Sequence, residues 1–144
     1  MAIHTYGAYF GLTVSFIIGK AVKPRSKPET GYNSNIFAMI GAMFLWMYWP
    51  SFNAGYFAST PYEKSLVITN TIISLTGSCL ASFAISALLR KKFNMEDILN
   101  ASLAGGVIIG APSGVLYNPA ASLVIGFLGG CISVFGFNFL TEKL

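Results

Sequence analysis

His4 is the only histidine among the 144 residues, and it lies inside an uncharged, apolar stretch. An ionisable group at membrane depth is costly, so it is a functional candidate that normally faces the interior of a helix bundle or a pore. Gly7, Ala8, Gly11 and Ser15 follow at helical spacing and give the imidazole a narrow face of small residues. Three interpretations remain open: a pore-lining group, a histidine satisfied by one interhelical hydrogen bond, and an interfacial position near the chain start.

Phe52 belongs to a second candidate site, an aromatic helix face. Trp49 and Leu45 share this face because they lie three and seven positions before residue 52. Pro50 has no backbone N–H, and its ring clashes with the carbonyl of Trp46, so the helix is expected to kink or end there. An aromatic face near the outer mouth of a pore attracts a cation through the ring quadrupole. The same aromatics could instead form the belt that anchors a helix at the membrane interface.

No other set of residues in the sequence is typical of catalysis or of cofactor binding. There is no second histidine, no carboxylate inside an apolar stretch, no phosphate-binding glycine loop and no pair of haem ligands. Cys79 and Cys131 fall inside apolar runs and are interpreted as small core thiols. We therefore expect no enzyme, no cofactor and no metal site. Nucleic-acid binding is also excluded, because the basic residues stand in short connectors rather than on one basic face.

Long uncharged stretches must position these residues. The chain is 54% hydrophobic and only 10% charged, which is too apolar for a soluble domain of this length. A helix of about 20 apolar residues crosses the hydrocarbon core of a bilayer. The sequence therefore predicts an all-α polytopic membrane protein in which one incomplete domain, 1–144, has approximate spans at 2–19, 36–56, 65–89, 95–111 and 120–140. Because the chain starts inside a predicted helix, we expect it to be an internal piece of a longer protein.

Local signals define the fourth of these five spans. Asn94 is an N-cap candidate, and acidic residues follow it at 96–97, in the first turn, where the helix dipole favours them. The uncharged residues 98–141 are too many for one crossing. Proline and glycine at 111–114 and 118–119 predict turns that separate the fourth span from the fifth.

The basic residues predict the orientation in the lipid bilayer. Most of them stand in the connectors 20–35 and 90–97, which lie on the same side of the membrane in a five-span arrangement. The side that is rich in lysine and arginine is cytoplasmic. The helix that carries Phe52 then runs outward, so its aromatic end faces the outer surface.

Small residues recur four positions apart, a spacing that lets helix backbones approach closely. The glycine pairs are Gly7 and Gly11, Gly106 and Gly110, and Gly126 and Gly130, and a serine row consists of Ser74, Ser78, Ser82 and Ser86. Both patterns are interpreted as tight helix packing in a bundle. A polar pathway along the serine row is the alternative.

Four blocks of sequence stand in a recognisable order along the chain. They are Ile3-His4-Thr5-Tyr6-Gly7-Ala8-Tyr9-Phe10-Gly11-Leu12, Phe37-Ala38-Met39-Ile40-Gly41, Phe44-Leu45-Trp46-Met47-Tyr48-Trp49-Pro50-Ser51-Phe52-Asn53 and Asn100-Ala101-Ser102-Leu103-Ala104-Gly105-Gly106-Val107. In order and spacing, and over nearly the whole chain, they resemble the Rhesus (Rh) glycoprotein branch of the ammonium transporter family.

This resemblance implies a fold of eleven or twelve transmembrane helices, of which the chain would supply the fifth to the ninth. It also implies a homotrimer in the plasma membrane with one pore per subunit. His4 would be the first of two pore histidines, Phe52 one of two phenylalanines that gate the outer mouth, and Leu45 and Trp49 possible pore-lining neighbours. The implied activity is transport of ammonium or ammonia, in which ammonium loses its proton and neutral ammonia passes the histidines. An ammonium ion left unpaired in an apolar pore would be costly.

The sequence also departs from the family pattern. The second pore histidine, the partner phenylalanine and an acidic residue expected upstream of His4 all fall outside these residues. Tyr56 stands where bacterial members have a serine, so that recruitment role is not transferred to it. The alternative function is therefore a non-transporting, Rh-like structural or assembly subunit, or a truncated product.

Overall fold

The computed structural model describes residues 2–19, 31–57, 59–91 and 93–140, and every regular element within them is helical. The predicted all-α class is confirmed. The helices are α1 (Ala2–Gly19), α2 (Tyr32–Phe57), α3 (Pro61–Arg90), α4 (Met95–Ile109) and α5 (Pro119–Phe135), and a π-helical segment, Gly136–Leu140, continues α5. Most of the predicted connector 20–35 lies outside the described residues.

α3 is the central helix of the described structure. It packs most extensively against α5 and α4, which also pack against each other, and α2 lies on α3 and α4. The side chains of Val67, Leu75 and Ala81 on α3 are fully buried. Among the described residues, α1 has no substantial contact with any other helix. The core is therefore a bundle of four helices in which α3 touches each of the other three.

Capping interactions fix where α3 begins and ends. The Thr60 hydroxyl accepts a hydrogen bond from the Glu63 N–H at 3.2 Å, and the Glu63 carboxylate accepts one from the Thr60 N–H at 3.1 Å. This reciprocal pair satisfies two N–H groups that a helix start would leave without partners. α3 ends at Lys91, which has a left-handed φ of 54° and donates its N–H to Ala87. Such a left-handed residue is a common helix terminator.

The predicted start of the fourth helix is confirmed. Asn94 is the N-cap of α4, and its side-chain oxygen accepts hydrogen bonds from the N–H groups of Glu96 at 2.9 Å and Asp97 at 3.3 Å. The turn predicted between the last two helices is also present, since α4 ends at Ile109 and α5 starts at Asn118 as its N-cap.

Replacing Asn94 with alanine is expected to lower the stability of the protein by about 1 kcal/mol, the usual cost of losing an N-cap side chain. The measurement is the thermal unfolding of the purified protein in detergent. Asn100→Ala on the same helix is the matched control, because the exposed Asn100 side chain only donates to Glu96 O within its own helix. Equal stability of Asn94→Ala and Asn100→Ala would contradict the capping role.

Pro50 lies inside α2, which continues to Phe57. Of the two outcomes expected from the sequence, the helix end at Pro50 is therefore wrong. The ring of Pro50 is buried, and α2 continues through it although proline cannot donate a backbone hydrogen bond. As a result, the turn that follows Pro50 still presents Phe52 and Asn53 in helical register.

Two of the described helical stretches are long and apolar enough to cross a bilayer by length and composition alone. They are Pro61–Leu89, with 29 residues, and Pro119–Leu140, with 22 residues. A shorter apolar stretch, Ile3–Ile18, falls within α1. The five crossings expected from the sequence stay a prediction.

Candidate functional site

His4 lies in the first turn of α1 with an exposed side chain. Large apolar side chains are exposed along the same helix, for example Tyr6, Phe10 and Ile17. The rings of Tyr6 and Phe10 stack with their centroids 6.1 Å apart. Because α1 has no substantial contact with the other described helices, the structure does not bring His4 and Phe52 into one cluster.

Phe52 projects from the part of α2 that follows Pro50, and 62% of its side-chain surface is exposed. Leu45 is exposed as well, whereas Trp49 is half-buried. Trp49 packs on the backbone of α4, since a Cβ built on Gly106 would lie 2.7 Å from its indole Nε1. Among the three predicted members of this face, Trp49 is thus the one that joins α2 to the bundle.

Asn53, the residue after Phe52, is a buried polar residue that sequence reasoning missed. Only 4% of its surface is exposed. Its amide nitrogen donates to the Thr71 hydroxyl on α3 at 3.2 Å and to the Gly106 carbonyl on α4 at 3.3 Å. Asn53 therefore connects three helices directly beside Phe52. A carboxamide inside an apolar helix was the available signal, because buried polar groups require partners.

Asn70, the neighbour of Thr71 on α3, forms a second set of buried hydrogen bonds that the sequence did not predict. Its amide nitrogen donates to the carbonyls of Ser113 at 2.8 Å and Leu116 at 2.7 Å, and its oxygen accepts a bond from the Ser122 hydroxyl at 2.9 Å. These three bonds use both amide hydrogens and the carbonyl oxygen of Asn70. They hold the turn between α4 and α5 against α3.

The serine row lies on the buried face of α3, and all four side chains have no exposed surface. The Ser74 hydroxyl donates to Gly105 O at 2.9 Å, and the Ser78 hydroxyl donates to Ser102 O at 2.7 Å. The Ser82 hydroxyl donates within α3, and the Ser86 hydroxyl donates to the carboxylate of Asp97. This arrangement favours the packing interpretation over a polar pathway.

The backbone at Ser74 is the point where α3, α4 and α5 converge. A Cβ on Gly105 or on Gly126 would collide with the carbonyl oxygen of Ser74. One turn further along α5, a Cβ on Gly130 would lie 2.7 Å from Ser78 O. Only residues without a side chain permit this approach, which also brings the serine hydroxyls within reach of α4.

The other glycines of the predicted pairs have different surroundings. Gly110 has Asn53 Oδ1 at 3.6 Å from a built Cβ, which is an ordinary contact. No atom lies within 4 Å of a built Cβ at Gly7 or Gly11. Among the glycines of the predicted pairs, the close-packed ones are thus on α4 and α5, and the pair on α1 faces open space.

Asp97 forms a polar cluster at the opposite end of the bundle from Phe52. Its side chain is 1% exposed and accepts hydrogen bonds from the Ser86 hydroxyl at 3.2 Å and from the Asn138 amide at 3.0 Å. The Asn94 N–H donates to the same serine at 3.1 Å. The cluster joins the ends of α3, α4 and the segment that continues α5.

The chemistry open to these residues is that of packing and hydrogen bonding. Within the part of the chain that the structure describes, no group of three or more His, Cys, Asp or Glu side chains could hold a metal ion. Every buried side-chain nitrogen or oxygen among the described residues has a hydrogen-bond partner. Of the residues that the sequence predicts for the two candidate sites, His4, Leu45 and Phe52 are exposed and Trp49 is half-buried.

Comparison with known proteins reveals a family relationship over the whole chain. The sequence profile of the Ammonium Transporter Family matches residues 1–144. The chain is 46% identical over 148 aligned residues to Ammonium transporter Rh type A of Canis lupus familiaris, covering 100% of the chain and 35% of that protein. It is 43% identical to Ammonium transporter Rh type B of Mus musculus, covering 100% of the chain and 32% of that protein.

The fold is similar to that of a solved structure as well. The Rh50 protein of Nitrosomonas europaea, described as belonging to the Rhesus protein family of channels, superposes with a TM-score of 0.88 at 40% sequence identity. The match covers 100% of this chain and 38% of that one. The chain thus spans about a third of the length of the curated relatives that it matches. By sequence and by fold, the chain belongs to the ammonium transporter family, and its relatives in these comparisons are of the Rhesus type.

Proposed function

We propose that the chain is part of a longer Rh-type protein that transports ammonium or ammonia across a membrane. The observation that carries this proposal is the match of all 144 residues to the family, together with the similarity to a Rhesus channel at a TM-score of 0.88. The relatives are named as transporters and as a channel, not as enzymes.

The proposed placement in the membrane has five crossings, with the connectors 20–35 and 90–97 on the cytoplasmic side of the plasma membrane. Its support is the asymmetric distribution of lysine and arginine, which favours the cytoplasmic side. Large exposed apolar surfaces on α1 and α2 add support, because such surfaces typically contact lipid or further protein. The bilayer and the remainder of the parent, assembled as a homotrimer, would cover them.

Phe52 and His4 are the proposed pathway residues. In this orientation α2 carries Phe52 to the outer surface, where an exposed ring attracts a cation through its quadrupole. A bare ammonium ion cannot enter an apolar lumen at low cost, so it would transfer its proton to water at the outer mouth and enter as neutral ammonia. The imidazole of His4, an exposed side chain on α1, would line the lumen along which ammonia then moves.

Growth of cells tests the proposed activity. Cells without their own ammonium uptake, which grow poorly on low ammonium, are expected to recover growth when they express the full-length parent. A variant of the parent that lacks residues 1–144 is the negative control. If the full-length parent reaches the membrane as a trimer and growth is not rescued, the protein is an assembly subunit and the transport proposal is wrong.

A further inference from the structure

We propose that Asn53 is a positioning residue that sets the place of Phe52 at the outer mouth, by tying α2 to Thr71 and Gly106. This inference rests on the proposed function, because it assigns Asn53 a role only through Phe52. It concerns a residue that is buried and turned away from the exposed ring of Phe52.

The hydrogen bonds of Asn53 require a donor at this position. The Thr71 hydroxyl gives its own hydrogen to Val67 O at 2.7 Å, so it accepts the bond from Asn53. The Gly106 carbonyl can only accept. Both partners therefore face the NH₂ group of Asn53, which fixes the orientation of its amide. A carboxylate in the same place would set oxygen against oxygen.

Trp49 supplies a second contact to the same residue of α4. Its indole ring packs on Gly106, one helical turn before Asn53, where a built Cβ would lie 2.8 Å from Cδ1. α2 is thus held to Gly106 at two points, and Phe52 lies between them in sequence. Two contacts one turn apart fix both the height of the helix and its rotation about its axis. They therefore fix where the Phe52 ring emerges.

Pro50 explains why this part of α2 needs an anchor. Proline cannot donate the hydrogen bond to the carbonyl four residues earlier, so the helix is weakened one turn below Phe52. A weakened helix holds its last turns less rigidly by its own backbone bonds. The interhelical bonds of Asn53 replace that restraint.

The experiment measures methylammonium uptake by cells that express the full-length parent. Two quantities are determined: the methylammonium concentration that gives half-maximal uptake (the half-saturation concentration), and the maximal rate divided by the amount of protein at the cell surface. Asn53→Leu, similar in size but unable to donate, is expected to raise the half-saturation concentration by about ninefold, because each of its two lost interhelical bonds contributes about threefold. Thr71→Val removes one bond and is expected to give about threefold. Thr71→Ser retains the hydroxyl and should restore the wild-type value.

Thr76→Val is the matched control for the loss of a hydroxyl from α3. Its side chain is exposed and donates only within its own helix, to Ile72 O at 2.9 Å, so uptake should not change. A merely structural role of Asn53 would lower the amount of protein at the surface and the maximal rate. In that case the half-saturation concentration would stay at the wild-type value, and the positioning role would be overturned.

A double-mutant cycle separates this inference from the proposed function. If Asn53 acts through Phe52, Asn53→Leu has no further effect on the half-saturation concentration in the Phe52→Ala background. Independent, additive effects would overturn the positioning role while leaving the gate intact. Wild-type uptake by Phe52→Ala alone would instead contradict the gate, and the positioning role would fall with it.

Discussion

Replacing Gly126 with valine is expected to prevent the full-length parent from accumulating as a folded protein. A Cβ at this position would collide with the backbone carbonyl of Ser74 on α3, and a carbonyl in a central helix cannot rotate away as a flexible side chain can. Overpacking a core costs about 1–3 kcal/mol when side chains can adjust. Here two helices must separate, which would also stretch the bond from the Ser74 hydroxyl to Gly105 O. The cost should therefore exceed about 3 kcal/mol.

The measurement is size-exclusion chromatography of the detergent-extracted parent after heating at increasing temperatures. Gly114→Ala is the matched control, because a Cβ there meets only the side chain of Val67 at 3.8 Å, an ordinary contact. We expect Gly114→Ala to keep the wild-type elution profile and Gly126→Val to lose it. A folded Gly126→Val protein with wild-type thermal stability would contradict the packing of α3 against α5 described here.

Replacing Phe52 or His4 with alanine in the full-length parent is expected to lower uptake at least about tenfold, which corresponds to about 1.4 kcal/mol in the barrier to permeation. In the proposed pathway, loss of the Phe52 ring would remove the quadrupole that attracts ammonium and would open the mouth to water. In the proposed pathway, loss of His4 would remove the imidazole from the lumen along which ammonia moves. Both effects are expected to act on permeation rather than on folding, since both side chains are exposed in the described structure.

Phe37→Ala is the control for the loss of an aromatic ring from α2. Its side chain is 74% exposed and lies at the other end of that helix, away from the predicted outer mouth. Its uptake is expected to match the wild type when normalised to protein at the surface. If Phe37→Ala and Phe52→Ala lowered uptake equally, the effect would reflect general damage to α2, and the gate assignment would be wrong.

Local signals were sufficient to predict several helix boundaries. The Asn94 cap, the acids after it and the proline and glycine residues between α4 and α5 act within a few positions of themselves, so they can be interpreted without a partner segment. The helix end predicted at Pro50 was wrong because the effect of this residue depends on its surroundings. Proline by itself favours a helix end, but α2, in which Pro50 is buried, stays helical to Phe57.

The side-chain hydrogen bonds that connect different helices could not be predicted from the sequence. Asn53, Asn70 and Asn138 each lie in a helix whose periodicity does not identify the partner. Their partners on other helices are 18 to 53 positions away in the sequence. The central place of α3 is likewise a property of packing rather than of local pattern. The roles proposed for His4 and Phe52 follow from the family resemblance. In the structure these two residues lie on α1 and α2, which have no substantial contact with each other.

Ammonium-driven flux into liposomes that contain the purified full-length parent is the most direct test of the proposed pathway. Internal pH is recorded after rapid mixing with an ammonium gradient, with protein-free liposomes as the baseline. The wild-type parent should raise the flux at least about tenfold above the baseline, and the His4→Ala and Phe52→Ala variants should return it close to the baseline. Wild-type flux in both variants would contradict a pathway through His4 and Phe52.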